Sequence, residues 1–225
     1  MLKTLIIIAI FLVTLVAVTT AQKKPSDAKI KETAPKIEKK ANQRPSAEPA
    51  KTEPFEKATV EMLAAQCVKF ETEAGIIEFE MFPESAPESV RNFLNLAATG
   101  AFDTTTFSRV VPSFVIQGGD LFTSQKMTAE LDKRARRTLP DEPSQIKHER
   151  GILSMARSDE PNTASTHFFI LLREAATLDG KFAAFGRVTK GMEVVEAINK
   201  MPVESEKPTK PVRITRATVA VCPAQ

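Results

Sequence analysis

Phe107-Ser108-Arg109-Val110-Val111-Pro112-Ser113-Phe114-Val115-Ile116-Gln117-Gly118-Gly119-Asp120 reads as two short extended runs bent at Pro112. Strand alternation places Phe107, Arg109 and Val111 on one face of the first run. The second run ends at Gly118-Gly119, where the backbone is free to turn. A guanidinium that stays charged at ordinary pH therefore sits among apolar neighbours, and it needs an acid, water or a visiting polar group beside it. No acid lies within reach of Arg109 in the sequence itself.

The chain has 225 residues, 42% hydrophobic and 26% charged, enough for one well-packed domain with a remainder. It contains no Trp and no Tyr, so fourteen Phe supply all the aromatic bulk. A net charge of +3, with no basic stripe interleaved with aromatics, argues against nucleic acid as a partner. Two His and two Cys, far apart, assemble no metal site by ligand spacing, and Gly118-Gly119 alone is no phosphate loop.

Met1-Leu2-Lys3, an apolar run from Leu5 to Val18 and then Thr19-Thr20-Ala21 form an export signal, residues 1–21. The run is shorter than the roughly 20 residues of a spanning helix. Cleavage after Ala21 is expected, with an uncleaved membrane anchor as the alternative. Residues 22–62 are rich in Lys, Glu, Pro and Ala and read as a disordered linker: a tether, an arm for an acidic partner, or a plain spacer. The folded domain is expected over 63–225.

Within it, Val68, Phe70 and Thr72, a turn at Glu73-Ala74-Gly75, and Ile77, Phe79 and Met81 predict a strand hairpin. Pro87 suits a first helical turn, and Val90, Phe93, Leu94 and Ala97 predict a helix with a narrow apolar face from Pro87 to Thr99. Asp120 to Arg150 shows no regular pattern and reads as loop; its Lys133, Arg134, Arg136 and Arg137 are a solvated surface or a device for steering acidic substrates. His148 is expected to be exposed and idle. Gly151 to Ile170 reads as strand, loop, strand; a second helix is predicted from Met192 to Lys200 and a last strand from Val212 to Cys222.

Several motifs, in order, resemble the cyclophilins, the peptidyl-prolyl cis-trans isomerases. They are Phe82-Pro83-Glu84-X-Ala86-Pro87-X-X-Val90-X-Asn92-Phe93, the opening stretch, Leu139-Pro140-Asp141-Glu142, Gly151-Ile152-Leu153-Ser154-Met155-Ala156-Arg157, Pro161 to Ile170, Leu178-Asp179-Gly180-Lys181-Phe182 and Phe185-Gly186-Arg187-Val188. The likeness covers Val68 to Val219 and suggests an exported, bacterial-like member. It implies a mainly β fold, a closed eight-stranded antiparallel barrel capped by two α-helices, with a side-chain-filled core. It also implies an enzyme that rotates Xaa-Pro bonds in proline-containing polypeptides, with no cofactor and no metal. A monomer, exported to a periplasmic or other extracytoplasmic space, is the expectation; contact with a membrane follows only if the amino-terminal segment stays attached. The alternative is a catalytically weak proline-peptide holdase or scaffold.

The same resemblance assigns Arg109 as the catalytic donor. Phe114, Val115, Phe169 and Leu178 would form the proline cup, Gln117 would reach the substrate carbonyl or orient Arg109, and Ala156, Arg157 and Ser158 would run along the peptide. Without it, Phe114, Phe169 and Leu178 read equally as barrel core. Four substrate-side positions depart from familiar members: Ser108 and Phe182 where His is common, His167 where Gln usually stands, and Thr177 where Trp can stand. His167 is expected to titrate from about pH 6.5, facing Arg109 as a second cation. A Ser108–His167 hydrolase pair lacks an acid to orient the His. Parity points Cys67 and Cys222 outward from the first and last strands, neighbours in the family's barrel, so a Cys67–Cys222 disulfide is the expectation and two unpaired thiols the alternative.

Overall fold

The computed structural model describes residues 53–223; the leader at 1–21 and most of the linker lie outside the described residues. With Phe as the one large aromatic, Phe70, Phe79, Phe93, Phe102, Phe168 and Phe185 meet in a single core, with ring centroids 5.1 to 6.1 Å apart. Around them run α1 (Val60–Ala64), β1 (Gln66–Thr72), β2 (Gly75–Met81), α2 (Pro87–Ala98), β3 (Arg109–Val111) and β4 (Val115–Gly118). Then come α3 (Ala129–Ala135), β5 (Ile152–Met155), β6 (Phe168–Leu171), β7 (Ala184–Lys190), α4 (Met192–Asn199), the short hairpin β8 (Val203–Glu204) and β9 (Lys207–Pro208), and β10 (Ile214–Val221).

Eight strands form one antiparallel sheet in the order β10-β1-β2-β7-β5-β6-β4-β3. It curls until its two edges meet, but the seam is an isolated bridge, Thr106 with Arg213, and a few hydrogen bonds such as Phe107 N–H to the Val212 carbonyl. The expected closed barrel is therefore a nearly closed one. The described residues include four α-helices where two were expected.

The first unforeseen helix has a clear cause. Thr59 caps α1 by accepting the Met62 N–H, Ala58 and Leu63 are buried, and Arg91 donates to the carbonyls of Phe55 and Ala58. Residues 53–62 thus pack on the domain, and the linker boundary at 62 lies too late. The buried face of α2 is broad, because this segment meets Asn95 while Glu142 and Ser165 meet Ser89 and Asn92, so all three lie inside with Val90, Phe93 and Leu94. Those polar groups are satisfied: Asn95 Oδ1 accepts the Phe55 N–H, Asn92 Nδ2 donates to the Ser165 carbonyl, and the Glu142 carboxylate accepts the Ser89 hydroxyl and the N–H groups of Glu88 and Ser89. Glu142 thereby caps a helix whose own N-cap residue, Ala86, cannot.

The second is α3, inside the stretch read as loop. Thr128 caps it, and arginines in and just after it pair with acids: Arg134, which is mostly buried, and the exposed Arg137 with Glu53, and the exposed Arg136 with Asp132. Burial would push the Glu53 carboxyl up, but the two arginines outweigh it and hold it below its usual range. The basic cluster braces the amino-terminal segment.

Gly119 is fixed by shape. Its φ is +84°, and a Cβ there would stand 2.1 Å from the Thr166 carbonyl oxygen, while the Thr166 hydroxyl donates to the Gly119 carbonyl at 2.7 Å. Gly119→Ala is expected to cost about 3 kcal/mol in strain and overlap, read as a lower urea midpoint with an unchanged slope.

Cys67 and Cys222 are joined in a disulfide, Cα–Cα 5.0 Å. Cys67 lies opposite Ala220 in the β1–β10 ladder, and the Cys222 N–H donates to the Ala65 carbonyl just past its end.

Candidate active site

Strand alternation sorts the residues of β4, β5 and β6 onto two sides of the sheet. Ile116, Leu153, Met155, Phe168 and Ile170 enter the main core. Their neighbours Val115, Ile152, Phe169 and Leu171, with Ala184, build a second apolar cluster on the outer face, extended by the half-buried Phe114, Ala156, Leu178 and Phe182. Phe114, Phe169 and Leu178 are therefore not barrel core. They line an external cleft of about 200 Å³ together with Arg109, Val115, Gln117, Ala156, Arg157 and Phe182. A second, polar cleft of about 220 Å³ adjoins it, sharing Gln117, Ala156 and Arg157 and adding Ser158, Thr163, Ser165 and His167.

Arg109 stands at the rim, exposed, while its neighbour Val110 is fully buried. Phe107 does not share its face: β3 begins only at Arg109, and Phe107 enters the core against Phe168. The guanidinium donates from Nε to Glu206 at 2.7 Å and from Nη1 to Gln117 Oε1 at 3.3 Å. An acid is thus within reach after all, from 97 residues away.

The cup is braced by its neighbours. Arg173 stacks on Phe114, 4.7 Å from the ring centre, and Arg157 on Phe182 at 5.1 Å. Asn199, buried at the end of α4, donates to the carbonyls of Val111 and Val115 and accepts the Ser113 N–H, which fixes the turn carrying Phe114. His148 is buried, contrary to expectation, and bridges Asp179 through Nδ1 at 3.1 Å and Ser154 through Nε2 at 3.2 Å. The Asp179 carboxylate accepts only, so Nδ1 carries a proton, and the Ser154 hydroxyl donates to the Ala183 carbonyl at 2.9 Å. This bracket ties the 3-10 turn Ala176–Leu178, and with it Leu178, to β5. Asp179 is held at about 2, first by the His148 backbone N–H and next by Lys147.

A match to the family model for cyclophilin type peptidyl-prolyl cis-trans isomerase/CLD covers residues 67–219. The chain belongs to the cyclophilin family. Similar cyclophilins include Peptidyl-prolyl cis-trans isomerase CYP23 of Arabidopsis thaliana, 39% identical over 64% of this chain and 65% of that one. Peptidyl-prolyl cis-trans isomerase cypE of Dictyostelium discoideum is 37% identical over 69% of this chain and 99% of its own. Among solved structures, a Cryptosporidium parvum cyclophilin type peptidyl-prolyl cis-trans isomerase superposes with a TM-score of 0.62 at 30% identity, covering 70% of this chain and 99% of that one.

Of the groove residues singled out in this cyclophilin's sequence, Thr177 and Ser108 lie outside both clefts: the 3-10 turn that aims Leu178 inward leaves Thr177 exposed. Ser108 lines neither cleft, so it makes no pair with His167 at the groove. His167 lies in the polar cleft, which Arg109 does not line. Burial lowers its pKa, against an opposing pull from Asp120, so it is neutral at pH 7 and not a second cation. Sequence reading missed Glu206, Asn199, Arg173, Thr163, Ser165 and the His148–Asp179–Ser154 bracket. Thr163 and Ser165 lay inside a quoted motif; the others depend on partners distant in the chain. Among the described residues, no group of three or more His, Cys, Asp or Glu could hold a metal ion.

Both histidines of the chain are held below their ordinary pKa of 6.5, in each case chiefly by burial. The unfolded chain therefore takes up protons below pH 6.5 that the folded one refuses, and stability falls as pH drops through that value. A urea midpoint lower at pH 5 than at pH 7 is the expected result; an unchanged midpoint would contradict neutral burial of these rings.

Proposed function

We propose that this cyclophilin accelerates rotation about Xaa-Pro bonds in exported proteins as they fold, with Arg109 as the donor. The barrier, about 18 to 20 kcal/mol, comes from delocalisation of the nitrogen lone pair into the carbonyl, and it keeps isomerisation at proline slow. A donor aimed at the prolyl nitrogen holds that lone pair out of resonance. An apolar cup around the pyrrolidine favours the twisted amide over either planar form. No bond breaks, so neither nucleophile nor general base is needed.

The observation that carries this reading is the juxtaposition of Arg109, at the rim of the cleft, with the apolar wall of Phe114, Val115, Phe169, Leu178 and Phe182. The Cryptosporidium parvum enzyme has also been solved in the presence of the dipeptide Ala-Pro, and this chain matches that structure with a TM-score of 0.61 at 31% identity. The adjoining polar cleft would take the residues preceding proline, with Ala156, Arg157 and Ser158 along the backbone. Export is supported by the leader-like 1–21 and by the Cys67–Cys222 disulfide, which suits an oxidising compartment.

A protease-coupled assay on a short Xaa-Pro peptide tests the enzyme. Acceleration is expected, whereas peptide binding without acceleration would leave only a holdase. Cell fractionation tests export, and recovery of the protein with reduced thiols in the cytoplasm would exclude it.

A further inference from the structure

We infer that Glu206 is a positioning residue, which holds the Arg109 fork in the orientation that meets the prolyl nitrogen; this rests on the isomerase reading above. The β8–β9 hairpin docks on the open edge of the sheet beside Arg109, because the Val110 N–H donates to the Glu206 carbonyl at 2.8 Å. From that backbone anchor the Glu206 carboxylate accepts the Arg109 Nε–H at 2.7 Å. Gln117 takes one Nη1 hydrogen. A guanidinium has five N–H groups, so with these two engaged the remaining three stay available at a fixed tilt.

The turn is built in a way that fold stability does not explain. Both of its central residues, Ser205 and Glu206, lie in the left-handed region, with φ of 48° and 67°. Such a hairpin turn favours Asn-Gly, since both central positions need positive φ. A Glu there is strained, and it gains no compensating burial: the side chains of Glu206 and Arg109 are 48% and 44% exposed, and ion pairs at such exposure add little stability. What the residue does supply is a carboxylate at a defined distance from a side chain that has to be pre-organised. An arginine free to sample its rotamers would spend less time aimed at the substrate and would pay ordering entropy on each turnover.

Glu206→Gly separates a turn residue from a positioning residue, because glycine relieves the strain while removing the carboxylate. The melting temperature is expected to hold or rise, whereas kcat falls about tenfold and KM changes little, as loss of an interaction made mainly in the transition state requires. Glu206→Gln, which keeps a neutral acceptor, should fall between the two. In an Arg109→Lys background, Glu206→Gly should cost nothing further. Full kcat in Glu206→Gly, or an equal loss in the Arg109→Lys background, would overturn the inference. A second readout is independent of turnover: the Arg109 Nε–H of the free protein should exchange slowly with water, and quickly in Glu206→Gly. If Nε–H exchange does not change, the inference fails even where activity drops. If it changes as expected but the wild-type protein accelerates no Xaa-Pro peptide, the contact is right and the isomerase reading is what fails.

Discussion

Arg109→Lys is expected to lose about ten- to a hundredfold in kcat/KM on an Xaa-Pro peptide, with little change in the dissociation constant of that peptide. The range follows from a hydrogen bond to a charged group, worth about 1.5 to 3 kcal/mol. Lysine keeps the charge but cannot satisfy Glu206 and Gln117 while also presenting a planar donor to the substrate. Peptide affinity should survive because the apolar wall of Phe114, Phe169, Leu178 and Phe182 is untouched. The same magnitude shows why Arg109 is not the whole mechanism: the rest of the acceleration must come from a cup that fits the twisted amide. Protease-coupled kinetics and peptide titration on one preparation separate the two contributions. An unchanged kcat/KM would mean that the fork has no role.

Removing the disulfide is expected to have the largest effect on stability. Cys67 and Cys222 are 155 residues apart, so the bond closes a loop containing nearly the whole domain. In the chain-entropy model such a closure contributes about 3 to 5 kcal/mol. The Cys67→Ser/Cys222→Ser variant should therefore unfold at a much lower denaturant concentration. A reductant should shift the wild-type protein to match it and leave the variant unmoved. Below its melting temperature the variant should keep its activity, since the bond ties β1 to the end of β10 and the cleft is built from β3, β4, β5, β6 and the turn at Ala176–Leu178. Equal stability with and without the bond would contradict this.

Much of the architecture was legible because it depends on alternation and local turn chemistry. Val68, Phe70, Ile77 and Phe79 are spaced for one face and are all buried. The predicted helix at Pro87 ends within a residue of its observed limit. Alternation also contained the site, since Val115 and Gln117 had to face away from Ile116; which side was core and which was cleft could not be read from the strand alone. What escaped was contact between segments distant in the chain. Glu53 meets Arg134 from 81 positions away, and this packs a segment that looked like linker against a stretch that looked like solvated loop. His148 looked idle because its partners, Asp179 and Ser154, belong to other elements. Arg109 looked unpaired for the same reason, and its partner Glu206 sits in a hairpin of two-residue strands, too short to carry a pattern.

The central claim is that an external groove, rather than the barrel interior, binds proline and rotates it. Exchange NMR on a labelled Xaa-Pro peptide with sub-stoichiometric protein tests binding and rotation together. The account predicts exchange cross-peaks between the cis and trans peptide signals, with protein shifts at Phe114, Gln117, Phe169 and Leu178 and none at the core rings of Phe70 and Phe93. Shifts at those groove residues with no cis–trans exchange would contradict it.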